Sequence, residues 1–237
     1  MFKIKFSKIF IALVLVGATS CSNFKESNFT NTTNIVTSPE HKSKADYYFK
    51  QGQYKFKTGY YQEAIEDFTE VIRINPNYAD AYLKRGIARD VLQDFHGAIE
   101  DFTEVIRINP NNAEAYNKRG ISRLSLKIPD LQGAIEDHTQ FVRINPNNPE
   151  AYFSLGGTYS HIVGKASEAV ANYTEAIKLK PDYAEAYFYR GAILKGNEGL
   201  ADMEKAKQLA QEQGNRELYN KAVEMIELRK NIGESSN

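Results

Sequence analysis

The sequence predicts an all-α solenoid of stacked helix pairs, and three observations predict it. First, the chain repeats itself. EAIEDFTEVIRINPNYADAY (Glu63 to Tyr82) returns as GAIEDFTEVIRINPNNAEAY (Gly97 to Tyr116), offset by 34 residues with three of twenty positions changed. Second, a few residue types keep register over most of the chain. Gly52, Gly86, Gly120, Gly156 and Gly191 each follow a tyrosine by four: Tyr48, Tyr82, Tyr116, Tyr152 and Tyr187. Ala64, Ala98, Ala134 and Ala169 each precede a ring by four, at Phe68, Phe102, His138 and Tyr173. Pro76, Pro110, Pro146 and Pro181 each stand eight residues beyond that ring. Third, the apolar residues Ala64, Ile65, Phe68, Val71 and Ile72 fall on one stripe of a 3.6-residue helix. A unit of this size cannot bury its apolar face alone, so a fixed period near 34 implies stacked units sharing a continuous core.

The elements follow in order from the start of the chain. Lys3, Lys5 and Lys8 precede the uncharged run Ile9 to Ala18, IFIALVLVGA. That run falls short of the roughly 20 residues needed to span a bilayer. Residues 1–20 are therefore expected to be a signal peptide. Without them the chain keeps 27 basic against 30 acidic residues. Its single cysteine, Cys21, follows Ala18-Thr19-Ser20 and cannot form an internal disulfide. Here the chain resembles a bacterial lipoprotein precursor, which is cleaved before such a cysteine and acylated on its sulfur. That family favours Leu three residues before the cysteine and Gly or Ala directly before it, where this chain has Ala18 and Ser20. The resemblance implies lipidation at Cys21 and membrane anchoring. The alternative is a plain secretory signal with an incidental thiol. Residues 21–44, rich in Ser, Thr and Asn, read as a tether of about 25 Å average span. The sequons at Asn28 and Asn31 fit a chance match in such a composition.

The repeats then run as 45–78, 79–112, 113–148 and 149–183, with a shortened fifth at 184–214. Extra residues fall only between half-repeats, near Ile128-Pro129 and Gly164-Lys165, as expected of loops joining helices. The glycine of each first helix suits close approach of the second, and the proline stops the second helix. Asn77-x-x-Asp80, Asn111-x-x-Glu114, Asn147-x-x-Glu150 and Asp182-x-x-Glu185 read as helix caps, with Pro149 tolerated in a first turn. Gly214 ends one helix and Asn215 starts another. Residues 215–230 form an amphipathic capping helix through Leu218, Tyr219, Ala222, Val223 and Ile226, and 231–237 read as a disordered tail. This combination of aromatic, Gly, Ala, aromatic and Pro at fixed offsets resembles the tetratricopeptide repeat. The resemblance covers Ala45 to about Tyr183 and implies a right-handed superhelical solenoid.

Candidate chemistry comes next. Glu66, Asp67 and Glu70 recur as Glu100, Asp101 and Glu104, and in part as Glu136 and Asp137. Paired carboxylates serve acid–base catalysis or hold hard cations. A catalytic site is normally singular, however, and these acids repeat with the scaffold, so they read as structure. Arg85, Arg119 and Arg190 share one repeat position, and they are expected to pair with Asp67, Asp101 and Asp137 of the same or adjacent repeat. His41, His96, His138 and His161 have no spacing suited to a metal, and His138 stands at a core ring position. No nucleophile elbow, phosphate loop or dinucleotide fingerprint is present. The balance of 30 basic and 30 acidic residues offers no global field for nucleic acid. No enzyme activity, small-molecule substrate, cofactor or metal is expected.

Function is therefore sought on the first helices, which the resemblance implies line a concave groove through positions 2, 5, 9, 12 and 13. Position 5 holds Phe49, Leu83, Asn117, Phe153 and Phe188. Position 9 holds Gln53, Ile87, Ile121, Gly157 and Ala192, and His161 lies near the end of its helix. The candidate peptide-groove residues are Phe49, Gln53, Leu83, Ile87, Asn117, Ile121, Phe153, His161 and Phe188. The Lys and Asn set with which some members of the family clamp a C-terminal carboxylate is absent, because Asn117 and Lys118 lack their companions. The reading is a lipid-anchored envelope adaptor that binds protein segments, peptide or helical, with hydrophobic anchors and some basic residues. An unanchored assembly chaperone for a membrane complex is one alternative. An enzyme subunit with a site assembled in the groove is another.

Overall fold

The computed structural model describes residues 39–234. The expected signal peptide, the expected lipidation site Cys21 and most of the expected tether lie outside the described residues. Among the described residues there are eleven helices and no strand. They pair as α1 (Pro39–Lys57) with α2 (Tyr61–Ile74), α3 (Ala79–Val91) with α4 (Phe95–Ile108), and α5 (Ala113–Leu124) with α6 (Leu131–Ile144). The series continues as α7 (Pro149–Ser160) with α8 (Ala166–Leu179) and α9 (Ala184–Ile193) with α10 (Gly196–Glu212). The last helix, α11 (Arg216–Glu234), caps the stack. Each helix packs on its chain neighbours, and first helices also touch the next first helix along, as α1 with α3 and α3 with α5. This is the all-α solenoid of tetratricopeptide repeats.

The repeat residues explain the pairing. A Cβ added at Gly52 or Gly86 would sit 2.8 Å from the ring of Phe68 or Phe102, and one at Gly120 would sit 2.6 Å from His138 Nε2. No side chain fits there, so the two helices of the first four pairs meet backbone to ring, while Gly191 of the fifth faces Asp202 Cβ. Proline ends the second helices of the first four pairs by forcing the residue before it out of the α region. Asn75, Asn109 and Lys180 all adopt extended backbone, with φ near −133°. Asn75 Oδ1 accepts from the Asn77 amide at 3.1 Å and Asn109 Oδ1 from the Asn111 amide at 3.2 Å, closing the turn.

Several boundaries differ from the sequence reading. Helix α1 begins at Pro39, so 39–44 belong to the solenoid and not the tether; a proline at the first helical position costs no hydrogen bond. Helix α11 continues to Glu234 through the segment read as tail. The caps sit one residue later than expected. Asn112 accepts from the Ala115 amide at 2.9 Å and Asn148 from the Glu150 amide at 2.9 Å, whereas Tyr78 and Tyr183 make no side-chain cap bond. The Asn215 cap forms as expected, accepting from Leu218 at 3.1 Å after Gly214 at φ +70°.

Candidate functional site

Each first helix divides its residues among three neighbours. Positions are counted from Ala45, Ala79, Ala113, Pro149 and Ala184. Position 3 faces the preceding repeat: Ala81 packs with Val71 and Ile74, Ala115 with Ala98 and Val105, and Ala186 with Ala176 and Ile177. Position 10 does the same. Ser122 donates to Asp90 Oδ1 at 2.6 Å, and Thr158 meets His138 Nδ1 at 2.7 Å. Positions 7, 8 and 11 face the helix's own partner.

The partner face carries the buried charges. Arg85 makes paired bonds to Asp101, at 3.0 Å from Nε and 2.7 Å from Nη2, and Arg89 adds a third at 2.9 Å. Arg119 and Arg123 hold Asp137 in the same geometry. A second reach links adjacent repeats: Nη1 of Arg85, Arg119 and Arg190 donates at 3.0 Å to Thr69, Thr103 and Thr174 of the repeat before. The expected pairing of Arg85 and Arg119 with aspartates of their own repeat is observed. Two partners differ. Asp67 is held by Lys55 at 2.7 Å, because the first repeat has Gln51 where the second, third and fifth have arginine. Arg190 pairs with Asp202 at 2.7 Å, on a second helix reached through a shortened connection. Sequence reasoning missed Arg89, Arg123 and the threonines, although each recurs at the repeat period. Burial pushes the Asp101 and Asp137 carboxyls up from their ordinary value, against the pull of their arginines.

Subtracting these faces leaves one stripe on each first helix, at positions 2, 6, 9 and 13. The spacing i, i+4, i+7, i+11 keeps these side chains within a narrow arc. On α3 the stripe is Asp80, Lys84, Ile87 and Val91; on α5 it is Glu114, Lys118 and Ile121, with Ser125 at the C-cap. Val91 and Ile121 are 48% and 38% exposed, and Tyr189, at position 6 of α9, is 45% exposed.

Position 5 does not belong to this stripe, which corrects part of the expected groove. It turns toward the next repeat, and Leu83 and Asn117 are buried with 6% exposure each. Asn117 donates to Glu150 at 3.3 Å and accepts from Ser154 at 3.1 Å. Phe49 packs on Tyr78, and Phe153 on Tyr183, with ring centroids 4.9 and 5.0 Å apart. Phe188 packs against the cluster of Leu209 and Leu218. Of the expected groove residues, Gln53, Ile87 and Ile121 lie on the stripe. His161 is exposed and bonds the Gly157 carbonyl of its own helix end at 2.8 Å. Lys84, Lys118, Val91 and Tyr189 are stripe residues that the sequence reading left out. A helical wheel of α3 and α5 would have found the first three, whereas Tyr189 also packs its ring on Phe153, with centroids 5.7 Å apart.

The groups with the largest buried shifts lie in the seams. Burial lowers the His138 imidazole to about 4 and pushes the Tyr173 and Tyr183 phenols up to about 12. Among the described residues no group of three or more His, Cys, Asp or Glu side chains is placed to hold a metal ion. No helix among them is long and apolar enough to cross a membrane.

Comparison with known proteins agrees with this geometry. Sequence models of the tetratricopeptide repeat match residues 45–78 and 80–112, and a TPR repeat model matches 161–197. The chain therefore contains tetratricopeptide repeats. Among solved structures, a MamA protein is 24% identical with a TM-score of 0.66, covering 73% of this chain and 96% of that one. MamA from Desulfovibrio magneticus RS-1 is 23% identical with a TM-score of 0.60, over 78% of this chain and 95% of that one. YrrB, described as a TPR protein with an unusual peptide-binding site, is 20% identical with a TM-score of 0.63, over 78% and 94%. At these identities the likeness concerns the fold. A search of curated proteins found no match.

Proposed function

We propose that this chain is a non-catalytic adaptor that takes a protein segment across the stripe of its first helices, and that it is exported and held at a membrane through acylated Cys21. One observation carries the adaptor reading. Packing and hydrogen bonding occupy most recurring residues of the first helices, while the stripe keeps Val91 and Ile121 exposed on α3 and α5 and, beyond its acidic position 2, changes along the chain. Apolar side chains of the segment would cover Ile87, Val91 and Ile121, where desolvated contacts supply most of the binding energy. Its carboxylates would answer Lys84 and Lys118, and its basic groups the acidic rim at Asp80 and Glu114. YrrB, with its described peptide-binding site, shares the fold, which is compatible with this use of it. A photo-crosslinking residue at Ile121 should capture a partner, whereas one at Glu104, on a second helix, should not. Equal capture from both positions would sink the reading.

The anchor rests on the sequence alone. Mass spectrometry of Cys21 tests it: an acylated N-terminal cysteine supports it, and a free thiol in the mature chain favours the unanchored chaperone.

A further inference from the structure

Among the described residues no repeat precedes the first, and its outward face departs from the internal pattern. Positions 3 and 10 hold small, buried residues in the inner repeats: Ala81 and Ala88, Ala115 and Ser122, Ala151 and Thr158. In α1 the same two positions hold Tyr47 and Tyr54, and they are 60% and 67% exposed. Gln51 lies between them. Lys44 stands on one flank of this face, with Lys50 and Lys57 on the other, and all three are exposed. A solenoid end needs a polar cover to stay soluble, but it does not need two large rings. Tyrosine offers an apolar body with a polar tip, and lysine a long apolar stem with a charge at its end. That pairing suits a water–lipid boundary.

Charge points the same way. Helix α1 carries Lys42, Lys44, Lys50, Lys55 and Lys57 against Glu40 and Asp46, in a chain with no net charge. The cap at the other end, α11, balances Arg216, Lys221, Arg229 and Lys230 against Glu217, Glu224, Glu227 and Glu234. Position in the chain agrees as well. Helix α1 is the first described element after Cys21, and residues 22–38 between them span at most about 60 Å.

We propose that this end face rests on an anionic lipid surface. The inference builds on the reading that the chain is held at a membrane, and it sets the orientation of the solenoid there. The tyrosine rings enter the headgroup layer, the lysines meet lipid phosphates, and the stripe of the first helices projects away from the bilayer edge.

The chain has no tryptophan, so one introduced residue is a unique fluorophore. The full chain carrying Tyr47→Trp is mixed with vesicles of phosphatidylcholine, with or without phosphatidylglycerol, and with brominated lipid as quencher. The expected result is a blue shift and quenching on the anionic vesicles, absent when Tyr189→Trp is the reporter. Adding Lys44→Gln, Lys50→Gln and Lys57→Gln should weaken the response roughly 100-fold, from about fivefold per lysine. Emission from Tyr47→Trp that stays unquenched on anionic vesicles would overturn the proposal. So would a blue shift before any vesicle is added, which would mean that another protein surface covers the face. Mass spectrometry of Cys21 keeps the two readings apart. An acylated cysteine with a silent reporter sinks the orientation and leaves the anchor. A free thiol with a responsive reporter does the reverse.

Discussion

Two guanidiniums, from Arg85 and Arg89, converge on Asp101, whose side chain is 2% exposed. Removing one member of a buried charged set leaves the others desolvated and uncompensated, which costs far more than an exposed pair contributes. Asp101→Asn should therefore lower unfolding free energy by about 3 kcal/mol. Asp67→Asn, where Lys55 remains one-third exposed, should cost about 1 kcal/mol or less. Urea denaturation of both variants checks the ordering, and equal costs would mean that burial is not what separates them. His138 gives the second residue-scale test. Its Nδ1 lies 2.7 Å from Thr158 Oγ1, which donates to the Ser154 carbonyl at 3.0 Å, while Nε2 faces Gly120 without a hydrogen-bond partner. The ring is neutral in folded and unfolded chains above pH 6.5. As pH falls, the unfolded chain binds the proton first, because burial lowers the folded value to about 4. Stability is thus complete above 6.5 and is lost progressively down to about 4, by up to about 3 kcal/mol. His138→Phe, which restores the ring type found at Phe68 and Phe102, should remove that part of the pH dependence. Stability curves of the two chains that stay parallel between pH 7 and 4 would refute it.

At the scale of elements, the second helices were the most legible. Their stripe, their glycine-facing rings and their terminating prolines are local signals that tertiary packing reinforces. Helix starts were less so. Asn111 and Asn112 are adjacent and both able to cap, and only the backbone turn set by Asn109 and Pro110 decides between them. The start of α1 was hidden by composition: residues 39–44 read as linker until Pro39 is recognised as a first-turn residue. The site was half legible. Arginine and aspartate recurring at the repeat period pointed to a pair, but aligning one arginine position overlooked Arg89 and Arg123, four residues further round the helix. Position 5 was misassigned at Leu83 and Asn117 because the family groove was carried over as a set of positions. Helix geometry places position 5 on the flank that the next repeat covers.

For the whole molecule, near-neighbour packing makes stability a sum of local interfaces. The C-terminal cap tests this most directly. Helix α11 covers Ala184, Leu209 and Ala210 with Leu218 and Tyr219. It also sends Arg229 across to the open end of α9. Arg229 Nη1 donates to the Leu194 carbonyl at 3.0 Å, and Nη2 donates to those of Gly191 and Ala192 at 2.6 and 3.1 Å. These are carbonyls that a helix end leaves without partners, and the two-residue connection between α9 and α10 leaves no room for a local cap. Truncation after Gly214 removes both the apolar cover and the guanidinium. Losing the burial of Leu218 and Ile226 alone should cost about 4 kcal/mol. Because α11 touches only α9 and α10 among the described elements with substantial contact, that cost should fall on the fifth repeat. Hydrogen exchange should show α9 and α10 losing protection while α3 to α6 keep theirs. A uniform loss across all repeats would show instead that the solenoid unfolds as one unit, with the cap holding the entire stack.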